Sequence, residues 1–145
     1  MHQFPHHYCV SADATSNSLV TLSADGVEPI SSAPPVEFGG PGDQWSPESL
    51  LVAAVADCFI LSFRAIARAS RLDWSSLSCE VDGALDKQDG GPRFTGFNVR
   101  ASVTIDNEDD ADKAEKLLHK AENACLITNS LIAESHLETE VLISE

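Results

Sequence analysis

Between Ser76 and Asp106 the chain alternates apolar and polar residues with a period of two. Leu77, Cys79, Val81 and Leu85 share one side, and Ser78, Glu80, Asp82 and Asp86 the other. After "QDGGP", Phe97, Val99, Ala101, Val103 and Ile105 again fall together. Successive side chains of a strand point to opposite faces, so this alternation predicts two strands with one buried face. The Gly-rich break between them predicts a hairpin. "LETEVLIS" near the C-terminus repeats the alternation and predicts a closing strand. Near the N-terminus, 6–11 ("HHYCVS") and 18–23 ("SLVTLS") predict short strands, with a turn at Asp25-Gly26. "SSAPPVEFGGPGDQ" predicts a loop, with a brief strand at Val36–Phe38.

Two stretches change period. From Ser46 to about Arg71 the pattern is helical: Ser46 is suited to the N-cap, Pro47 to the first helical position, and Glu48 to the positive end of the dipole. The position that completes a capping box holds Ser49 rather than Glu or Gln. Residues 50–63 are apolar nearly all round, which predicts a buried central helix, about 36 Å long if it runs to Arg71. A second helix is predicted from about Glu108, with Asp109, Asp110 and Asp112 at its start and a stripe of Ala111, Ala114, Leu118, Ala121 and Cys125. "LITNSLIAES" predicts a turn and a short helix. Strands, long helix, hairpin, helix, strand is the order of an α+β domain rather than a doubly wound sheet. A helix apolar on all sides needs cover on all sides, from the second helix or from another copy of the chain, so a dimer is expected.

With 145 residues the chain is long enough for one cored domain, taken as 1–145. "MHQFPHHYC" lacks a basic start before an apolar run, so no secretory leader is expected. The apolar run Leu50–Ala56 is broken by Asp57, Arg64 and Arg68, so no membrane span is expected; the default location is cytoplasmic. Net charge is −14, from 23 acids against nine Lys and Arg, which disfavours a nucleic-acid partner. No Lys or Arg precedes Arg64. The four cysteines (Cys9, Cys58, Cys79, Cys125) contain no C-x-x-C pair, so neither a zinc ribbon nor a thioredoxin-type motif is present.

Cys58 interrupts the greasy helix and Cys125 closes the stripe of the second. A cysteine in such a place is commonly a small packing residue. Against that reading, Asp57 breaks the apolar run beside Cys58, and Cys125 falls where its helix ends, free to face a neighbour. Cys79 sits on the inward face of a regular strand and reads as structural. Cys9 with His2, His6 and His7 matches no standard zinc spacing, so no metal is expected.

"WSPESLLVAAVADCF" resembles the first signature of the OsmC/Ohr family of organic-hydroperoxide-reducing proteins: a Gly-rich approach, Trp45, the Pro47-Glu48 pair, a small-residue helix, and Cys58 ten residues after the glutamate. "AENACLITNSL" is similar to the second, with Cys125 followed by Asn129 and Ser130; "HHYCV" and "LETEVLI" are also similar to members. The resemblance implies an OsmC-like α+β fold, antiparallel sheets wrapped around the long central helix, and an intertwined homodimer. It implies a thiol peroxidase that reduces small organic hydroperoxides to alcohols. Cys58 is then the peroxidatic cysteine, Cys125 the resolving one, and Glu48 the carboxylate that orients a thiolate-activating arginine. No cofactor is implied beyond an external dithiol reductant. Phe59, Phe63, Leu126 and Ile127 are the expected apolar pocket.

One family element is missing. Active members carry an arginine in the N-terminal region, and this chain has neither Arg nor Lys there. In a continuous helix Glu48 stands about 15 Å from Cys58 along the axis, too far to reach the sulfur. Without a cation, Asp57 and Glu48 would raise the thiol pKa. Arg64 or Arg68 curling back, Arg93 or Arg100 from the hairpin or a second chain, or a histidine among His2, His6 and His7 are the candidate replacements. The alternatives to a peroxidase are a redox-weak family member binding a small apolar or thiol-reactive ligand at the dimer interface, and an acidic structural subunit.

Overall fold

The computed structural model of the protein describes residues 2–145, which fall into two compact units divided between Leu50 and Leu51. The first unit carries a three-stranded antiparallel sheet: β1 (Ser11–Asp13), β2 (Val20–Ser23) and β3 (Ile30–Ser32), in that order. Ser11 pairs with Ser23, and Val20 with Ser32. The expected first strand lies later than the pattern suggested, at Ser11–Asp13 rather than 6–11, and Ile30–Ser32 is an additional strand. Val36–Phe38 is a single 3-10 turn instead of a strand. Pro34 and Pro35 supply no N–H to a ladder, and Gly39 closes the turn at φ 88. Trp45 then bridges Ser32, with Ala33 N–H donating to Trp45 O at 2.8 Å. This bridge sets the chain at the start of α1 (Pro47–Ala69).

The cap of α1 is more complete than its sequence suggested. Ser49 N–H donates to Ser46 Oγ (3.1 Å), and Ser46 N–H donates to Ser49 Oγ (2.9 Å). A serine hydroxyl thus does what glutamate does in the capping box. At the far end α1 stops two residues earlier than expected, because Arg71 adopts a left-handed φ of 56 and Leu72 N–H returns to Ala67 O (2.9 Å).

The second unit contains most of α1, then β4 (Ser76–Gln88), β5 (Gly91–Ile105), α2 (Ala111–Ala124), α3 (Leu126–Asn129) and β6 (Glu134–Ile143). β4 and β5 form the expected hairpin around Asp89-Gly90, with Cys79 opposite Ala101. A register shift at Ala84/Leu85 ends the shared face early and leaves Leu85 39% exposed. β6 pairs with β5 in parallel, Ala101 opposite Thr139, so this sheet is mixed rather than purely antiparallel. The chain passes from β5 to β6 through α2 and α3, and a helical crossover brings it back to the end from which β5 began.

The core of this unit is a stripe of α1 (Val55, Phe59, Phe63, Ala67), the inner face of β5 (Phe97, Val99, Ala101, Val103, Ile105) and the stripe of α2 (Ala114, Leu117, Leu118, Ala121), closed by Leu72. The expectation of a helix buried all round needs correction for the single chain. Spacing of four residues puts one stripe of α1 inside, and Leu61 remains 49% exposed. By length and composition α1 is apolar enough to cross a membrane, with a mean hydropathy of 2.1, yet its buried stripe belongs to a protein core.

Candidate functional site

The second unit brings Cys58 and Cys125 together. Cys58 stands on α1 one position before Phe59, which turns it about 100° away from the core stripe. It is half-buried, whereas Cys125 is 2% exposed; both are free thiols. Cys125 sits where α2 ends and α3 begins, in extended backbone (φ −65, ψ 110). Its carbonyl accepts from Asn129 N–H (3.0 Å) and Thr128 Oγ1 (3.2 Å), and Asn129 Nδ2 donates to Asn123 O (2.9 Å). These bonds fold "NACLITN" back on itself and give the thiol a fixed place.

Around the Cys58 sulfur this fold gathers donors. Burial alone pushes the thiol pKa up. The Ile127 N–H, the Cys125 thiol, the Ser62 hydroxyl and the Leu126 N–H outweigh it, in that order, and hold Cys58 below the ordinary cysteine value. The two amides open α3, so they have no carbonyl partner within that helix and are available to a developing thiolate. Each donor favours the charged form. Leu126 and Ile127, read from the sequence as apolar walls, thus act on the sulfur through their backbones. Ser62 Oγ lies 3.9 Å from Cys58 Sγ. A hydroxyl four residues beyond a helical cysteine is the one signal in the sequence that could have marked it.

Within the single chain, none of the arginines named as candidate cations is among the groups that act on Cys58. Arg64 and Arg68 are exposed. Arg100 pairs with Asp82 (2.8 Å) and Glu80 (3.6 Å) on the outer face of the sheet. Arg93 is exposed at the end of the hairpin, opposite Asp86. No charged group contributes to the lowering at Cys58; Asp57 is exposed.

The expected pocket also needs revision. Phe59 and Phe63 belong to the core stripe, 2% and 0% exposed, and Phe63 meets Trp74 edge-on at 5.5 Å. They point into the core because they share the four-residue period of Val55 and Ala67. Leu126 is 74% exposed and Ile127 half-buried, so of the four expected residues these two keep apolar surface open. Cys79, on the core face of β4, has its thiol pushed up to about 11 by burial and by the charge Cys125 would carry if ionised. It is held neutral, as a structural thiol should be. In the first unit, Glu48 occupies the first turn of α1 with its Oε1 buried and, among the described residues, without a hydrogen-bond partner. His6 Nε2 is 3.0 Å from His2 O, and Cys9 is exposed.

A family model described as OsmC-like protein matches residues 40–140, a span that includes Glu48, Cys58 and Cys125. The uncharacterized protein YmaD of Bacillus subtilis is 27% identical over 143 residues, 95% of each chain. An OsmC-like protein of unknown function from Vibrio cholerae superposes with a TM-score of 0.84 at 22% identity, covering 93% of this chain and 99% of the other. An organic hydroperoxide resistance protein OsmC from Legionella pneumophila gives 0.75 at 25% identity, covering 97% and 100%.

Proposed function

This chain belongs to the OsmC-like family, and we propose that it is a cysteine-based peroxidase that reduces small organic hydroperoxides to alcohols. One observation carries this reading: Cys58 is half-buried yet held below the ordinary cysteine value by the donors around it, the backbone of Ile127 and Leu126, the Cys125 thiol and the Ser62 hydroxyl. A packing cysteine has no use for such donors. The Legionella relative, called an organic hydroperoxide resistance protein, supports the choice of substrate class.

In the proposed reaction the Cys58 thiolate attacks one peroxide oxygen. The O–O bond breaks, the alkoxide leaves and takes up a proton to become the alcohol, and Cys58 is left as the sulfenic acid. The Cys125 sulfur then attacks Cys58 Sγ. Water departs and a Cys58–Cys125 disulfide forms, so two thiols have supplied the two electrons. An external dithiol returns both cysteines to thiols by exchange, leaving oxidised itself. Before attack, the α3 amides stabilise the thiolate in the role the family gives to arginine. Glu48 keeps the family's carboxylate position, in a chain with no Lys or Arg among its first 63 residues. Leu126 and Ile127 present apolar surface to an alkyl substituent. A homodimer completes the proposal: a second copy covers the open side of α1 around Leu61. We place the protein in the cytoplasm, where reducing conditions keep both thiols reduced between turnovers.

The test is direct. One equivalent of cumene hydroperoxide should remove two hydrogens from the reduced protein by intact mass, with the link mapped to Cys58–Cys125. Cys125→Ser should retain a sulfenic acid on Cys58, and Cys58→Ser should abolish peroxide consumption. The missing N-terminal cation favours a second reading, a redox-weak protein that binds a small apolar or thiol-reactive ligand. Peroxide consumption no faster than that of free cysteine decides for it.

A further inference from the structure

We propose that Ser62 is a positioning residue for Cys58, its hydroxyl donating to the sulfur and holding it toward the opening of α3. The proposal rests on the peroxidase reading and deepens it by adding a residue that neither signature of the family resemblance includes. Cys58 and Ser62 are one turn apart on α1 and share a face, and helical side chains lean toward the N-terminus, so Ser62 leans toward Cys58. Ser62 Oγ lies 3.9 Å from Cys58 Sγ. A serine within a helix ordinarily donates back to the carbonyl four residues earlier, here that of Cys58 itself. Among the described residues that bond is absent, and the Cys58 sulfur is the sole side-chain partner of the Ser62 hydroxyl.

The consequence depends on charge state. A neutral thiol and a hydroxyl can each donate to the other, but a thiolate only accepts, so the Ser62 proton must turn toward sulfur when Cys58 ionises. The thiolate then has the Ser62 hydroxyl, one turn along α1, in addition to the Leu126 and Ile127 backbone that favours its charge. The titratable group facing it from the α2–α3 junction is Cys125; Asp57, its neighbour on α1, is exposed.

The experiment measures iodoacetamide labelling of each cysteine separately by peptide mass spectrometry, as a function of pH, in the full chain. Ser62→Ala keeps the helix and leaves the core stripe untouched. It should move the Cys58 labelling midpoint upward and slow labelling threefold to tenfold on the rising limb (about half a pH unit to one, at ~tenfold per unit). The profile of Cys9 should stay in place. Ser62→Thr, which keeps a hydroxyl, should restore the Cys58 profile. A Cys58 midpoint unmoved in Ser62→Ala overturns the proposal, as does a shift that Ser62→Thr fails to reverse. Disulfide formation with cumene hydroperoxide is scored on the same samples. An unmoved midpoint with normal disulfide formation refutes the role of Ser62 alone. A moved midpoint in a protein that consumes no peroxide refutes the peroxidase reading alone.

Discussion

The amide pair at the opening of α3 can be tested by removing one N–H without disturbing the helix. Leu126 is the first residue of α3, where proline is readily accommodated because its N–H has no helical partner. The residue before a proline must be extended, and Cys125 already is, at φ −65 and ψ 110. The Leu126 side chain is largely solvent-exposed, so its loss costs little packing. Leu126→Pro thus deletes one donor to Cys58 together with the Leu126 side chain, and thiol labelling, which needs no alkyl contact, reads the loss of the donor. A hydrogen bond to a charged group contributes roughly 1.5–3 kcal/mol. The Leu126 amide is the last of the four groups that lower Cys58, and the sulfur is only half-buried, so water screens part of the effect. About 1 kcal/mol is reasonable, or roughly fivefold in the thiolate fraction where one pH unit is ~1.4 kcal/mol. Labelling of Cys58 should slow by about that factor on the rising limb of the pH profile. Above both midpoints the gap should close and then reverse by up to about twofold, because the more basic thiolate is the stronger nucleophile. A midpoint that stays in place, in a variant with an unchanged circular dichroism spectrum, refutes the idea that α3 activates Cys58.

Three further outcomes follow from the structure. Cys79 carries a folded pKa of about 11, above its unfolded value of about 9. Its contribution to stability is therefore complete below pH 9 and lost as pH rises through 11, roughly 2 kcal/mol after allowing for partial exposure; urea midpoints should show this slope, and Cys79→Val should remove it. Phe63→Ala should cost about 3–5 kcal/mol in chemical denaturation, because the ring is fully buried against Trp74; a loss below 1 kcal/mol would mean that α1 does not pack as described. Gly83→Ala places a methyl 2.8 Å from Val52 Cγ2 and 3.0 Å from the rings of Phe94 and Phe97, so α1 and β4 must part slightly, at about 1–3 kcal/mol; an unchanged melting temperature would show that the contact has slack.

The sequence by itself determined the elements whose periodicity is set by one neighbour. β4 and β5 were legible because each buries one face, and alternation then follows from the geometry of a strand. Both long helices were legible from their spacing, α1 also from its cap, and the family from the two cysteine signatures. What the sequence left open depends on how separate segments meet. That Phe59 and Phe63 face the core while Cys58 faces away follows from which side of an all-apolar helix the sheet and α2 cover, and composition alone does not choose a side. The parallel pairing of β6 reflects the direction in which the crossover returns, which the alternation of "LETEVLIS" does not encode. Charged side chains are what a sequence displays as candidates to act on a thiol. The groups of this chain that lower Cys58 include the backbone of Leu126 and Ile127, and every residue but proline has a backbone N–H, so only the meeting of α1 with the α2–α3 junction singles these two out.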